Sequence, residues 1–160
     1  MVKVERSTVI DAPVSEVWAI LRDFNGHDRW HPAVARSHLE GSGRDGQIGS
    51  VRNFQLTGGE RLREQLLTLS DKDRSFRYAI VESEIPLEGY VAEVRLKPVT
   101  DGNRTFWSWR SRFRTPPGQE RELAELVAKN VYEAGFAAIR ERLEGRTRIS
   151  ETPPQPQSVA

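Results

Sequence analysis

"SVRNFQLTGGERLREQLL", residues 50–67, is the stretch that decides the fold. Two alternating runs flank Thr57, Gly58 and Gly59, and side chains two apart share one face of a strand. A three-residue turn over Thr57 to Gly59 sets Leu56 opposite Glu60, Phe54 opposite Leu62, Arg52 opposite Glu64 and Ser50 opposite Leu66. Phe54, Leu62 and Leu66 make that face the buried one, and the same register puts Arg52 and Glu64 on it, facing each other. An ion pair in a dry core is often no better than apolar residues of the same volume, because taking each ion out of water costs several kcal/mol. The pair is better tolerated where that side of the sheet encloses water or a polar ligand group. The alternative is a register one residue off, with both groups solvated.

Outward from the hairpin, two-residue alternation continues. Upstream lies "VARSHLEG"; downstream lie "RSFRYAIVES", "EGYVAEVRLKPV" and "NRTFWSWRSRFRT", punctuated by "GSGRDGQIG", "DKD", "SEIPLEG" and "TDGN". Consecutive strands joined by short turns predict an antiparallel meander. Its buried face continues through Phe76, Tyr78 and Ile80, then Tyr90, Ala92, Val94 and Leu96, then Trp107, Trp109 and Phe113. Buried tyrosines and tryptophans call for hydrogen-bond partners for their polar tips.

At the N-terminal end, "VKVERSTVID" alternates and "DAPVSEVWAILRDF" switches to helical spacing, with Val14, Val17, Trp18 and Leu21 on one side. Asp11 stands at the expected N-cap with Pro13 just inside. "NGHDRWHP" ends this helix, and Gly26 and Pro32 bracket room for a turn or one helical turn. At the other end, "GQERELAELVAKNVYEAGFAAIRERLEG" reads as a helix of about seven turns closed by Gly145. Its wheel groups Leu123, Leu126, Val127, Val131, Ala134 and Ala138 around Asn130, and puts Tyr132, Phe136, Ile139 and Leu143 on a second line. So broad an apolar arc means a largely enclosed helix or a homodimer contact on one side. Asn130 is either a satisfied core asparagine or, with Tyr132, a polar group looking into a cavity. One strand, a helix, a short helix, six strands and a long helix make an α+β fold in which the last helix covers the sheet.

The chain has 160 residues, which predicts one domain over 1–145, followed by a flexible Pro/Ser/Gln-rich tail over 146–160. No cysteine is present, which excludes disulfides and thiol chemistry. A net charge of +1 is a poor footprint for nucleic acid or an anionic membrane, so neither partner is expected. The N-terminus has no signal-peptide core and no window is long and apolar enough to span a bilayer, so a soluble, cytoplasmic protein is expected. His27 and His31 stand four apart beside Asp28, but a metal site needs at least about three ligands and no complementary cluster exists. Trp30 is expected at a cavity mouth. There is no GxSxG, phosphate loop or HExxH, so no cofactor is called for.

The strings "STVIDAPVSEVWAILRDFNGHDRWHP", "GSVRNFQL", "ERLREQLL", "RSFRYAIVE", "IPLEGYVAEVRLKPV", "FWSWRSRF" and "YEAGFAAIRERL" resemble START-like (SRPBCC) proteins of the polyketide cyclase/dehydrase and lipid-transport type. The resemblance covers residues 2 to 145 and implies the helix-grip fold: a curved seven-stranded antiparallel sheet, two short helices after strand 1, and a cavity under the C-terminal helix. It also implies a small hydrophobic or amphipathic ligand, without settling catalysis. The candidate ligand-binding residues are Trp30, Arg52, Phe54, Glu64, Tyr78, Tyr90, Trp107, Trp109, Phe113 and Asn130. Three functions follow. The first is a binding protein in which Arg52 and Glu64 orient the ligand. The second is a cyclase/dehydratase with Glu64 as general base, Arg52 steadying an enolate and Tyr78 donating a proton. The third is an interaction module or homodimer without catalysis. An opposed Arg52 is expected to hold Glu64 ionised, which favours the first.

Overall fold

A computed structural model describes the backbone of residues 1–150 and the side chains of residues 1–145. Seven strands form one sheet: β1 (Val2–Ile10), β2 (Val34–Leu39), β3 (Val51–Leu56), β4 (Arg61–Ser70), β5 (Ser75–Ser83), β6 (Glu88–Val99) and β7 (Arg104–Arg114), in the order β1-β7-β6-β5-β4-β3-β2. Every neighbouring pair is antiparallel. β2 to β7 are a meander, and β1 pairs back onto β7, so the chain between β1 and β2 crosses from one edge to the other. That crossing is α1 (Val14–Leu21) and a 3-10 helix (Phe24–Arg29). The β3–β4 hairpin pairs Arg52 with Glu64 and Phe54 with Leu62, the register given by the three-residue turn. Gly59 in that turn has φ 102°, a backbone conformation that a side chain would strain. Register shifts interrupt β4–β5 at Arg63/Glu64 and Leu66/Thr68, and β5's partner β6 meets β7 with a shift between Glu88 and Val91. Bulges of this kind bend strands, which curves the sheet toward the last helix.

Pro13, not Asp11, is the N-cap of α1: the Glu16 and Val17 amides donate to the Pro13 carbonyl. Asp11 lies too early in the chain, and its amide donates instead to the Glu144 carboxylate. The segment read as at most one helical turn is a six-residue 3-10 helix, which fits because 3-10 turns are tighter.

The C-terminal helix departs further from expectation. It comprises α2 (Glu120–Glu125), a π-helical segment (Leu126–Glu133) and α3 (Ala134–Ser150). It therefore runs through Gly145 rather than ending there, and residues 151–160 of the expected tail lie outside the described residues. The inward line is Leu123, Val127, Tyr132, Phe136, Ile139 and Leu143, all buried. Val127 and Tyr132 are five apart, a spacing that a wider π turn brings into line and an α wheel does not. One residue is thus absorbed mid-helix, the two apolar lines of the wheel merge into one, and Asn130 turns outward to an exposed position. It is not a core asparagine.

This line packs on the β7 face. The Trp109 ring stacks on Tyr132 at 4.4 Å and Trp107 meets Phe136 edge-on at 4.6 Å. Gly135 permits the approach, since a Cβ there would stand 3.0 Å from Trp109 and 3.3 Å from the His31 ring. The main core unites Val17, Trp18, Leu66, Tyr78, Val94, Trp107 and the helix line, while Val34, Phe54 and Leu62 form a separate cluster.

Candidate ligand cavity

Between the two clusters lies a cavity of about 260 Å³. Of the residues singled out from sequence, Trp30, Arg52, Phe54, Glu64, Tyr78, Tyr90, Trp107, Trp109 and Asn130 line it. Phe113 does not. It is fully buried and packs on Tyr90 with ring centroids 5.8 Å apart, behind the lining and not in it. Period-two reading cannot separate a residue facing space from one facing its neighbours. The lining residues that are also exposed include Thr57, Gly58 and Asn130, which marks the mouth between the β3–β4 turn and the π segment.

Arg52 and Glu64 are both buried. The Arg52 Nε and Nη2 donate to Glu64 Oε1 at 2.9 and 2.7 Å, and Nη1 donates to the Phe24 carbonyl. The guanidinium also lies 3.9 Å from the Phe24 ring centroid and 5.1 Å from that of Tyr78. Three donors matched to oxygen and two aromatic faces are how the fold tolerates a buried cation. Both bonds to Glu64 use one oxygen, so Oε2 has no hydrogen bond among the described residues. Burial pushes the Glu64 carboxyl above its ordinary value, and the Arg52 charge and hydrogen bond pull it down without cancelling that rise. The expected lowering by Arg52 is therefore corrected: opposition across the hairpin is local, but burial comes from the whole fold.

Deeper in, the Trp109 indole donates to Tyr78 Oη at 3.0 Å, and the Tyr90 and Tyr132 hydroxyls meet at 2.6 Å. Because Trp109 can only donate, Tyr78 keeps its own proton to offer, toward Tyr90 at 3.5 Å or toward the cavity. Burial raises all three phenols, so they stay protonated.

Residues beyond the sequence candidates complete the lining. Ile85 and Leu87 come from the β5–β6 loop, read as turn punctuation; two apolar residues astride Pro86 were the available signal. His27 and His31, weighed from sequence as a metal pair and, for His31, as the end of the helical turn before Pro32, are both buried and line the cavity. His31 Nε2 lies 2.7 Å from the Val131 carbonyl, and Nδ1 accepts the Ala33 amide. A carbonyl only accepts, so His31 is the neutral Nε2–H tautomer and ties the end of the 3-10 helix to the π segment. The His27 ring sits edge-on to Phe54 at 4.6 Å.

The histidines give the fold a pH dependence. Burial, then the Arg52 charge, lowers His27 well below its ordinary value; burial also lowers His31. Each binds its proton more readily in the unfolded chain, so stability falls as pH drops below about 6.5, by up to about 1.4 kcal/mol per pH unit for each histidine. Asp23 opposes this: burial and then the hydrogen bond with Asp45 push it up to about 6, so it takes its proton in the folded state. Urea unfolding is expected to show stability nearly level from pH 8 to 7 and decreasing from about pH 6.5 to 5, with Asp23 offsetting part of the fall. His31→Gln should make that fall shallower. A flat wild-type profile in that window would show that the histidines are not held neutral.

Comparison with known proteins agrees with this geometry. Over 99 residues, 60% of its length, the chain is 28% identical to the abscisic acid receptor PYL10 of Arabidopsis thaliana, of which it covers 53%. The chain spans about half the length of the curated relatives it matches. Among solved structures, XoxI of Bacillus cereus superposes with a TM-score of 0.82 at 24% identity, covering 92% of this chain and 99% of that one. The Zhui aromatase/cyclase of Streptomyces sp. R1128 superposes with a TM-score of 0.75 at 22% identity, covering 93% and 97%. At those identities the superpositions establish the seven-stranded, helix-grip architecture. The match of residues 1–144 to the family of polyketide cyclase / dehydrase and lipid transport proteins places this chain in that family.

Proposed function

We propose that this chain binds a small hydrophobic or amphipathic molecule, aromatic, polyketide-like or lipid-like, in the cavity between sheet and C-terminal helix. The observation carrying this reading is a space of about 260 Å³, close to the roughly 300–1,000 Å³ of ligand pockets, with apolar walls and one buried ion pair converging on it. Membership of a family described by cyclases, dehydrases and lipid transport supports the same reading, as does the likeness to an abscisic acid receptor. Among the described residues no helix is long and apolar enough to cross a membrane. The test is displacement of an environment-sensitive apolar dye, alongside native mass spectrometry of the purified protein. One saturable site is expected, with a co-purified mass lost on denaturation; absence of both would end this reading.

One observation favours a second reading, a cyclase/dehydratase with Glu64 as general base: burial raises the carboxyl's proton affinity while Oε2 stays unbonded. Arg52 would then steady an enolate and Tyr78 would supply a proton. Glu64→Gln should abolish turnover of any substrate found while leaving its binding within a few fold; unchanged turnover would remove Glu64 from the chemistry.

A further inference from the structure

Several polar atoms around the cavity are matched within the protein. The Trp109 indole bonds Tyr78, the Tyr90 and Tyr132 hydroxyls bond each other, and the two ring nitrogens of His31 engage Val131 and Ala33. The indole nitrogens of Trp30 and Trp107 are sealed from any open space, so they meet no ligand. Glu64 differs from all of these. Its Oε1 takes both Arg52 donors, while Oε2 lacks a partner among the described residues and yet is not one of the sealed, unpaired atoms. Oε2 therefore has an open side. Glu64 is buried between Leu62 and Leu66 on the inner face of β4 and lines the cavity, so the space that Oε2 meets is the cavity.

Charge and size narrow what can meet it. A carboxylate oxygen only accepts, so the matching group on a ligand is a donor. Arg52 is the only cation lining the cavity among the described residues, and it is bonded to Glu64, so the pair is neutral as a unit. Of the other two acids in the lining, Asp23 is bonded to Arg29, and Glu60 stands half-buried beside Gly58 at the mouth. A ligand carboxylate would face Oε2 with no cation free to balance it, and a ligand ammonium there would stand beside the Arg52 guanidinium. Either brings an uncompensated charge into a buried site. A neutral hydroxyl or N–H has neither penalty, and its bond to a carboxylate is of the stronger, charge-assisted kind. The volume sets the scale: a cavity of about 150 Å³ takes benzene, so about 260 Å³ takes a molecule of two or three rings.

We propose that Glu64 Oε2 is the acceptor that reads a hydrogen-bond donor on the ligand, and that the ligand is a neutral two- or three-ring molecule bearing a hydroxyl or N–H group, not a carboxylic acid. This deepens the binding function proposed above and rests on it. Arg52 then acts on the ligand through Glu64, holding the carboxylate by one oxygen so that the other stays free.

The test is a titration of the full chain at pH 8 with 2-naphthol, 2-methylnaphthalene and 2-naphthoate, read by displacement of the apolar dye, on wild type and on Arg52→Leu/Glu64→Leu. The naphthol and its methyl analogue share a shape and differ in the donor, and their unequal affinity for water cancels when their selectivity is compared between two proteins. The ratio of naphthol to methylnaphthalene affinity is expected to be about 10- to 100-fold higher in wild type than in the double variant, the worth of one hydrogen bond to a charged group. A second measurement needs no variant: the Glu64 side-chain carboxyl ¹³C signal of wild type should move more with 2-naphthol than with 2-methylnaphthalene, whose ring system is the same. Should the double variant not fold, this signal decides. An equal ratio in the two proteins, a carboxyl signal that answers both probes alike, or tightest binding of 2-naphthoate to wild type would overturn the proposal while leaving a ligand cavity in place. If no probe binds, the proposal falls, and the dye then tells whether the binding function falls with it.

Discussion

Arg52→Leu is expected to destabilise the fold by about 3–5 kcal/mol at neutral pH, as breaking a buried ion pair from one side usually does. Arg52 is the counter-charge of Glu64 and also bonds the Phe24 carbonyl, so its loss leaves a buried carboxylate and a carbonyl without their donor. The damage depends on pH with a defined sign. Glu64 already sits above its ordinary value through burial, and without Arg52 it rises further. A carboxyl raised in the folded state favours folding below its unfolded value, and that benefit is lost as pH rises through the folded value. The loss should therefore be greatest at pH 7–8 and shrink toward pH 4–5, where a protonated Glu64 needs no counter-charge. Arg52→Leu/Glu64→Leu should recover most of the stability. Urea unfolding of wild type, both single variants and the double variant across this range checks the claim; a loss independent of pH would mean that Arg52 acts through packing alone.

Trp109→Ala is expected to cost a similar amount, about 3–5 kcal/mol, the usual range for removing a large buried aromatic. Trp109 stacks on Tyr132, faces Phe136 and bonds Tyr78, so it joins the sheet to the helix at its π segment. Trp109→Phe separates ring from N–H: it keeps most of the volume and should lose about 1–2 kcal/mol with the bond to Tyr78. Thermal unfolding followed by near-ultraviolet circular dichroism gives both values. Should Trp109→Ala melt within a degree or two of wild type, the helix must be held elsewhere.

How far the site was legible follows from what each residue's placement depends on. Arg52 and Glu64 face each other across a three-residue turn, so their pairing follows from nearby sequence and the period of two. Trp107 and Trp109 belong to the buried face for the same reason. The same logic put Phe113 in the site, where the fold instead packs it behind Tyr90. Asn130 and Tyr132 part company because the π segment shifts the helix register: Tyr132 is buried against Trp109 while Asn130 stands exposed at the cavity mouth, and no wheel drawn at 3.6 residues per turn contains that shift. The histidines were visible, but their burial depends on a helix about a hundred residues away, which His31 meets at Val131.

The order of elements, the antiparallel meander, the inward face of each strand and the Arg52–Glu64 opposition are all properties of sequence read locally. They rest on side-chain period and turn length, which neighbouring residues determine. Only the tertiary structure decided which inward residues border space, where the helix changes register, and that Glu64 rises rather than falls. Those outcomes depend on how a distant helix fills the curved sheet, because packing and dielectric are set by every element that closes over a group.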